Sequence, residues 1–185
     1  MDLVNNVLAA LAGPAQTQRF LRLHTALGSE VLIAETLDGV EQIDGIGFQW
    51  TITALSVDAG LQLRPLIGKP ALLQLQQADG SHRPLHGRIT AAERIGSNGG
   101  LARYRLRLQP WLAFLSQRVD CYVFHDKTVV DIVEDVFADY GALAPEWRWG
   151  LTDASQYAKR SLTTQYQESD LAFVQRLLAE EGIFY

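Results

Sequence analysis

Four histidines and one cysteine are the side chains of this 185-residue sequence best suited to metal binding or nucleophilic attack. His82 and His86 have the four-residue spacing of two metal ligands on a helix, but Pro84 lies between them and would break a helix. In an extended chain, residues four apart are separated by roughly 13 Å, too far to share one zinc ion. The histidines therefore predict no metal site, and no cofactor is expected.

The single cysteine, Cys121, lies between Asp120 and Tyr122 in a predicted strand. No basic residue or helix N-terminus adjoins it in sequence, and such neighbours are what make a thiol reactive. We therefore expect Cys121 to be a buried structural thiol rather than a nucleophile. The sequence also contains no Gly-x-Ser-x-Gly nucleophile motif.

Four carboxylates, Asp131, Glu134, Asp135 and Asp139, recur along one predicted helix. They occupy its polar face, which is where a solvated helix places its charges. We interpret them as a solvated surface and not as a catalytic pair. No convergent set of acid and base residues is visible in the sequence, so the protein is predicted not to be an enzyme.

Three arginines, Arg103, Arg105 and Arg107, alternate along one predicted strand. Side chains two residues apart in a strand lie on the same face, so these three form a basic strip. One interpretation is the outer face of a barrel, with acidic partners on neighbouring strands. The other is a subunit interface or the lining of a lumen. The sequence alone leaves both interpretations open.

The whole chain is mildly acidic, with a net charge of −5, and 48% of its residues are hydrophobic. A general polyanion binder needs a basic field, so no nucleic-acid partner is expected. No stretch approaches the roughly 20 apolar residues of a transmembrane helix, so no direct membrane span is expected. The stretch 1–18 lacks the basic n-region of a secretory signal peptide, so a cleaved signal is not expected there.

The first half of the chain has the pattern of an antiparallel sheet. Strands are predicted at 20–24, 31–37, 48–55, 71–76, 85–94 and 101–108. The last two flank a turn that contains Asn98-Gly99, the strongest hairpin signal in the chain. Closely spaced strands with turns between them indicate a sheet curled into a sandwich or barrel.

After Pro110 the pattern changes to helices. Apolar residues recur every three or four positions across 127–140 and 170–181, which predicts two amphipathic helices. Thr128 and Ser169 are the predicted N-caps, and Gly141 is the predicted stop of the first helix. Trp111 is expected to cap the end of the preceding barrel, and Asp170 to place a charge near the positive end of its helix.

Four stretches are specific enough to suggest a family. In chain order they are RPLHGRI at 83–89, YRLRLQPWL at 104–112, VFHDKTVVDIV at 123–133 and QYQESDLAFVQRLLAEEGI at 165–183. Together they resemble the N-terminal region of the VgrG proteins, the spike proteins of type VI secretion systems, also found as Rhs-associated Vgr elements. The last stretch is similar to the family signature QY-x-E-s-D-x-x-F-x-x-R-L-l-E-x-E-G-I. Order and spacing fit over residues 20–185.

The resemblance implies a fold and a division into domains. The N-terminal half of the family is similar to the central hub of contractile phage baseplates. The expected fold class is α+β, mainly β: an antiparallel barrel-like domain with outer amphipathic helices, followed by the start of a second barrel-like domain. Residues 1–18 are then a leader, 19–110 the first barrel-like hub domain, and 111–185 the connecting helices and the truncated beginning of the second hub domain. The leader is longer and less polar than that of the family.

The resemblance also implies a function. It predicts a structural hub fragment of a type VI spike that trimerises in the full chain and docks the Hcp tube to the needle. Other spike or baseplate components are further expected partners. Assembly is expected in the bacterial cytoplasm, followed by secretion without a signal peptide through the type VI machinery. Two alternatives stay open, namely a small-ligand-binding or enzymatic β-barrel and a prophage baseplate hub.

Overall fold

A computed structural model of the chain describes residues 19–28, 30–43, 45–98 and 100–185. The predicted leader, 1–18, lies outside these residues. The chain divides into two compact units, the first made of Met1–Glu41 and Phe48–Pro110 and the second of Gln42–Gly47 and Trp111–Tyr185. Among the described residues, no helix is both long and apolar enough to cross a lipid bilayer.

The first unit is built on one antiparallel sheet of six strands. They are β1 (Leu21–His24), β2 (Ile33–Glu41), β3 (Phe48–Ser56), β4 (Pro70–Gln76), β5 (His82–Asn98) and β6 (Leu101–Gln109). Their order in the sheet is β1-β4-β5-β6-β3-β2, and the two outer strands, β1 and β2, also contact each other. The sheet is therefore curled like a half-barrel, which confirms the predicted fold class.

Alternation along β6 separates the two faces of this sheet. Tyr104, Leu106 and Leu108 are fully buried, whereas Arg105 and Arg107 between them are exposed. The buried face carries an apolar core to which all six strands contribute. Full burial of a leucine side chain stabilises a fold by about 1.5–3 kcal/mol, so this core is the main stabilising feature of the first unit.

Strands β5 and β6 form the predicted hairpin, and both arms are longer than the predicted 85–94 and 101–108. Register shifts between Ile89 and Ala91 and between Arg94 and Gly96 mark two bulges in β5. A bulge bends its strand and increases the local twist, which helps this sheet to curl.

The larger part of the second unit, Trp111–Tyr185, begins with a 3₁₀ segment, Trp111–Gln117, and contains two strands and two α-helices. The strands β7 (Val119–Lys127) and β8 (Arg160–Ser169) pair antiparallel, and the helices are α1 (Val129–Ala138) and α2 (Asp170–Glu180). The rings of Phe124 in β7 and Phe173 in α2 stack with their centroids 5.6 Å apart. This contact joins α2 to one face of the two-stranded sheet.

Both predicted helix starts are confirmed. Thr128 accepts a hydrogen bond from the backbone N–H of Asp131, and the Asp131 carboxylate accepts one from the backbone N–H of Thr128. This reciprocal arrangement is a capping box. Ser169 caps α2 by accepting from the backbone N–H of Ala172 at 3.1 Å.

One local prediction in the second unit is wrong. Helix α1 ends at Ala138, before Gly141, and Gly141 instead begins a 3₁₀ turn that is followed by Ala144 in the left-handed conformation. The ring of Trp111 lies edge-on to that of Phe137 in the second unit, at a centroid distance of 4.7 Å, and the capping of the preceding barrel by Trp111 stays a prediction.

Candidate functional site

One fully buried carboxylate organises the second unit. Asp170, the first residue of α2, has no exposed surface. Its Oδ2 accepts from the Tyr140 hydroxyl at 2.6 Å and lies 2.7 Å from Nε of Arg118. Its Oδ1 accepts from the side-chain amide of Gln165 at 2.8 Å. Burying a charge is costly unless it is paired and hydrogen-bonded, and here two hydrogen bonds and one ion pair offset that cost. We call these four residues the carboxylate clamp.

The carboxylate clamp joins four parts of the second unit. Arg118 follows the 3₁₀ segment, Tyr140 follows α1, Gln165 lies in β8 and Asp170 begins α2. The backbone N–H of Asp170 also donates to the carbonyl of Arg118 at 3.0 Å. The Arg118 guanidinium reaches Asp139 at 2.7 Å as well. The clamp therefore fixes the end of α1 and the start of α2 against the two-stranded sheet.

The electrostatics of the carboxylate clamp favour a structural role. Burial raises the pKa of the Tyr140 hydroxyl above its usual value, and the hydrogen bond to Asp170 raises it further. Tyr140 therefore stays protonated and keeps donating through the neutral pH range. Because Tyr140 and Gln165 donate hydrogen bonds to this carboxylate and Arg118 forms an ion pair with it, the clamp presents a compensated buried charge and not an activated nucleophile or base.

The sequence indicates only that Asp170 places a charge near a helix start and does not predict its burial. The available signal was the signature QY-x-E-s-D, since its Gln165 and Asp170 hydrogen-bond to each other. A second pair in the same signature is Glu168 with Arg176, at 2.6 Å. The signature is thus explained by side chains that hold β8 and α2 together.

The three arginines of the basic strip lie on the face of β6 that points away from the core. Arg103 pairs with Glu35 at 2.6 Å, and Arg105 pairs with Glu93 of the neighbouring β5 at 2.7 Å. In the part of the chain that the structure describes, no carboxylate pairs with Arg107. Such acidic partners on other strands are expected if the strip lies on the outer face of a barrel. A role at a subunit interface or in a lumen stays a prediction.

Cys121 is exposed, so the prediction of a buried thiol is wrong. The sheet formed by β7 and β8 has two strands, and the residues on the face opposite Phe124 are left uncovered. Val123, Leu162 and Tyr166 are exposed there as well. The backbone N–H of Gln167 donates to the Cys121 sulfur at 3.4 Å.

The three carboxylates of α1 and that of Asp139, which follows the helix, are exposed, which confirms a solvated helix face. Asp131 closes the capping box, Asp135 pairs with Lys127, and Asp139 pairs with Arg118. Glu134 accepts a hydrogen bond from the indole N–H of Trp149 at 2.9 Å. Each therefore has a local structural partner.

The histidines are dispersed across the fold. His82 and His86 both lie in the extended strand β5, as Pro84 predicts, while His24 lies in β1 and His125 in β7. Among residues 19–185 outside the three one-residue gaps, no group of three or more His, Cys, Asp or Glu side chains is placed to hold a metal ion.

Comparison with known proteins identifies relatives that match most of the chain. The family model of the phage tail baseplate hub (GPD) matches residues 40–185. The type VI secretion system spike protein VgrG1b of Pseudomonas aeruginosa is 36% identical over 171 residues, which are 92% of this chain and 22% of that protein. The actin cross-linking toxin VgrG1 of Vibrio cholerae is 26% identical over 86% of this chain and 15% of that protein. The chain thus spans less than a quarter of the length of these relatives.

A solved structure shares the fold. The E. coli c3393 protein, described as a type VI secretion component with structural similarity to T4 bacteriophage tail proteins gp27 and gp5, superposes with a TM-score of 0.72. It is 28% identical, and the match covers 88% of this chain and 43% of that one. The resemblance to VgrG spike proteins that the four motifs indicate is therefore confirmed. With the family match extending over most of its length, the chain belongs to the phage tail baseplate hub (GPD) family.

Proposed function

We propose that this chain is the hub region of a type VI secretion spike of the VgrG class and that its role is structural, not enzymatic. In the full protein it trimerises and docks the Hcp tube to the needle, with other spike or baseplate components as neighbours. The protein assembles in the cytoplasm and leaves through the type VI machinery without a signal peptide. The observation that carries this proposal is the 36% identity to a type VI spike protein across 92% of the chain.

The basic strip supports a contact surface on the first unit. Arg103 and Arg105 remain 42% and 49% exposed at their side chains although each has an acidic partner. Arg107 is exposed and is not matched by a carboxylate among the described residues. Its charge is available to a carboxylate of a second subunit or of the tube, and such surface charges govern association rate and register.

The uncovered face of β7 and β8 supports the start of a second barrel-like domain. Leu162 and Tyr166 are 57% and 68% exposed there, an unusual placement for large apolar side chains on a sheet. A two-stranded sheet is marginally stable alone, and its outer edges present backbone groups to further strands. Further strands of the full protein would pair with the free edges of this sheet, and the domain they complete would cover its exposed apolar side chains.

The filled interior of the first unit supports a structural role over a ligand-binding barrel. Ile52, Ile89 and Leu106 are at most 1% exposed on the concave side of the sheet. Phe48 and Trp50 pack against the same core. A barrel that binds a small ligand needs an open interior, and this core is occupied by side chains.

The experiment replaces the matched segment of Pseudomonas aeruginosa VgrG1b with residues 20–185 of this chain and mixes the purified chimaera with Hcp. Sedimentation is expected to show a trimeric chimaera that carries Hcp. The change Arg107→Glu is expected to weaken the complex about tenfold because it places like charges in contact.

Arg64→Glu is the matched control, because Arg64 is an exposed arginine outside the basic strip. It is expected to bind Hcp as the unchanged chimaera does. A folded chimaera that leaves Hcp sedimenting alone would contradict the proposed docking. Equal binding by the Arg107→Glu chimaera would contradict only the role given to the basic strip.

A further inference from the structure

A groove beside α1 in the second unit is lined mainly by charged and aromatic residues. Its volume is about 400 Å³, which lies within the range of small-ligand sites. The charged side chains of its lining are three carboxylates and one guanidinium, namely Asp120, Asp135, Asp139 and Arg118. Tyr122 and Gln165 line the same groove. We call this feature the acidic groove.

The local charge of the acidic groove stays negative when its ion pairs are counted. Arg118 reaches Asp139 at 2.7 Å and the buried Asp170 at the same distance. Lys127 pairs with Asp135. Four carboxylates, the three of the lining and that of Asp170, therefore share two cations, which leaves a net charge of −2. A site of this sign attracts a cation.

Asp120 is the least compensated of these carboxylates. Its Oδ2 lies 4.0 Å from Nη2 of Arg118, a long distance for an ion pair. Its Oδ1 accepts from the backbone N–H of Cys121 at 2.7 Å. The side chain is partly exposed, so Asp120 offers both charge and acceptor capacity to a ligand from outside.

Gln165 contributes a buried acceptor to the acidic groove. The residue is 2% exposed, and its side-chain nitrogen donates to Asp170 at 2.8 Å and to the carbonyl of Glu168 at 3.1 Å. These two contacts fix which end of the amide is the nitrogen. Its oxygen Oε1 accepts no hydrogen bond from any residue that the structure describes. Because a buried acceptor without a donor is costly, the groove favours a ligand that donates hydrogen bonds.

The acceptors of the acidic groove suit a guanidinium group. In the described part of the chain, no three His, Cys, Asp or Glu side chains are placed to hold one metal ion. A guanidinium instead spreads five N–H donors over a plane, so it reaches separated acceptors and stacks on a ring. The Tyr122 ring supplies such a face, because it lies edge-on to Phe124 at 4.7 Å and Tyr122 remains 57% exposed.

The second unit already holds one guanidinium in this way. Arg118 reaches the carboxylates of Asp139 and Asp170, and its guanidinium carbon lies 5.4 Å from the centroid of the Tyr140 ring. The acidic groove offers the same combination of carboxylate and aromatic ring to a guanidinium from outside the chain.

We propose that the acidic groove binds an arginine side chain on the surface of a partner protein. The guanidinium pairs with Asp120, donates to Oε1 of Gln165 and lies over the Tyr122 ring. A lysine ammonium is a compact charge without a planar face, so it fits these three groups less well. The site lies within the second unit, and its binding does not depend on the proposed hub role.

The probe is N-acetyl-arginine amide, titrated into the ¹⁵N-labelled 185-residue chain and followed by NMR. The reporters are the side-chain amide of Gln165 and the backbone N–H of Cys121, which donates to Asp120. We expect both signals to shift saturably with this probe. The citrulline compound has the same length but no charge and is expected to bind at least about tenfold more weakly, and the lysine compound to be weakened by a smaller factor.

Variants locate the binding to the acidic groove. Asp120→Asn keeps the shape of the side chain but removes its charge, so binding is expected to weaken about tenfold. Tyr122→Leu removes the ring face and is expected to cause a smaller loss. Asp126→Asn is the matched control, because Asp126 is an exposed carboxylate of β7 outside the groove, and this variant should bind as the unchanged chain does. Circular dichroism verifies the folding of all three.

Four results would overturn the proposal. They are no saturable shift with the arginine probe, equal binding of the citrulline compound, unchanged binding in folded Asp120→Asn, and an equal loss in Asp126→Asn. Two further results would contradict the assignment to a partner protein. Binding of free arginine without binding of the blocked probe would assign the groove to an amino acid, and a dimer of the chain that Asp120→Asn dissociates would assign it to a second copy.

Discussion

Nε of Arg118 lies 2.7 Å from Oδ2 of Asp170, and the Asp170 side chain is completely buried. The Arg118 side chain is partly exposed, so this ion pair runs from the surface into the interior of the second unit. A buried carboxylate that loses a partner retains the full cost of its desolvation. The contact is therefore expected to matter more for stability than the exposed ion pairs elsewhere on the chain.

Replacing Arg118 tests this expectation. Arg118→Met keeps the length of the side chain but leaves Asp170 with only the Tyr140 hydroxyl and the Gln165 amide. We expect the free energy of unfolding to fall by about 2–3 kcal/mol, as measured by urea denaturation. Arg148→Met changes an exposed arginine of the same unit and should stay within about 0.5 kcal/mol of the original chain. An Arg118→Met chain that is as stable as Arg148→Met would contradict the importance of the clamp.

Because the pKa of the Tyr140 hydroxyl is raised in the folded chain, the free energy of unfolding is expected to depend on pH in the alkaline range. Folding raises the pKa of Tyr140, chiefly through burial and then through the hydrogen bond to Asp170. A raised pKa stabilises the folded state below the unfolded value of about 10, and this stabilisation is lost as the pH rises from there toward the folded pKa. Tyr140→Phe is expected to be less stable than the original chain at pH 8, with the difference shrinking above pH 10.

Denaturation midpoints measured at pH 8, 9, 10 and 10.5 follow this difference. Tyr166→Phe is the matched control, because Tyr166 is an exposed tyrosine of β8 outside the carboxylate clamp. A gap between the original chain and Tyr140→Phe that stays constant or widens above pH 10 would contradict the role assigned to Tyr140.

The close packing around Gly87 predicts that a larger side chain at this position destabilises the first unit. A Cβ atom at Gly87 would lie 2.7 Å from the carbonyl oxygen of Gln109 and 3.1 Å from the ring of Phe48. Because the first of these atoms belongs to the backbone of β6, it moves only with the strand. Gly87→Ala is expected to lower the free energy of unfolding by about 1–3 kcal/mol.

The control for this packing prediction is Gly150→Ala. A Cβ atom at Gly150 meets no atom within 4 Å, so the midpoint of thermal denaturation of this variant should be close to that of the original chain. Equal denaturation midpoints for Gly87→Ala and Gly150→Ala would contradict the prediction that close packing at Gly87 limits stability.

Local patterns in the sequence predict much of this fold. Alternation along 101–108 identifies the buried Tyr104, Leu106 and Leu108, and the polar residues before each helix identify Thr128 and Ser169 as caps. These features depend on neighbours a few residues away in the chain, which is why they can be read from sequence periodicity.

The errors arise where the environment depends on distant residues. Cys121 has the pattern of a strand interior, but its burial depends on whether another layer covers the β7–β8 sheet. The burial of Asp170 depends on Arg118 and Tyr140, which approach it only in the folded chain. Spacing in the sequence carries little information on such contacts.

The most direct test of the hub assignment is secretion of Hcp by Pseudomonas aeruginosa cells whose own VgrG proteins have been removed. The chimaera of VgrG1b that carries residues 20–185 of this chain is produced in those cells, and Hcp is quantified in the culture medium. We predict Hcp in the medium with the chimaera and none with VgrG1b that lacks the segment. A chimaera that is folded and abundant inside the cells but releases no Hcp would contradict the assignment.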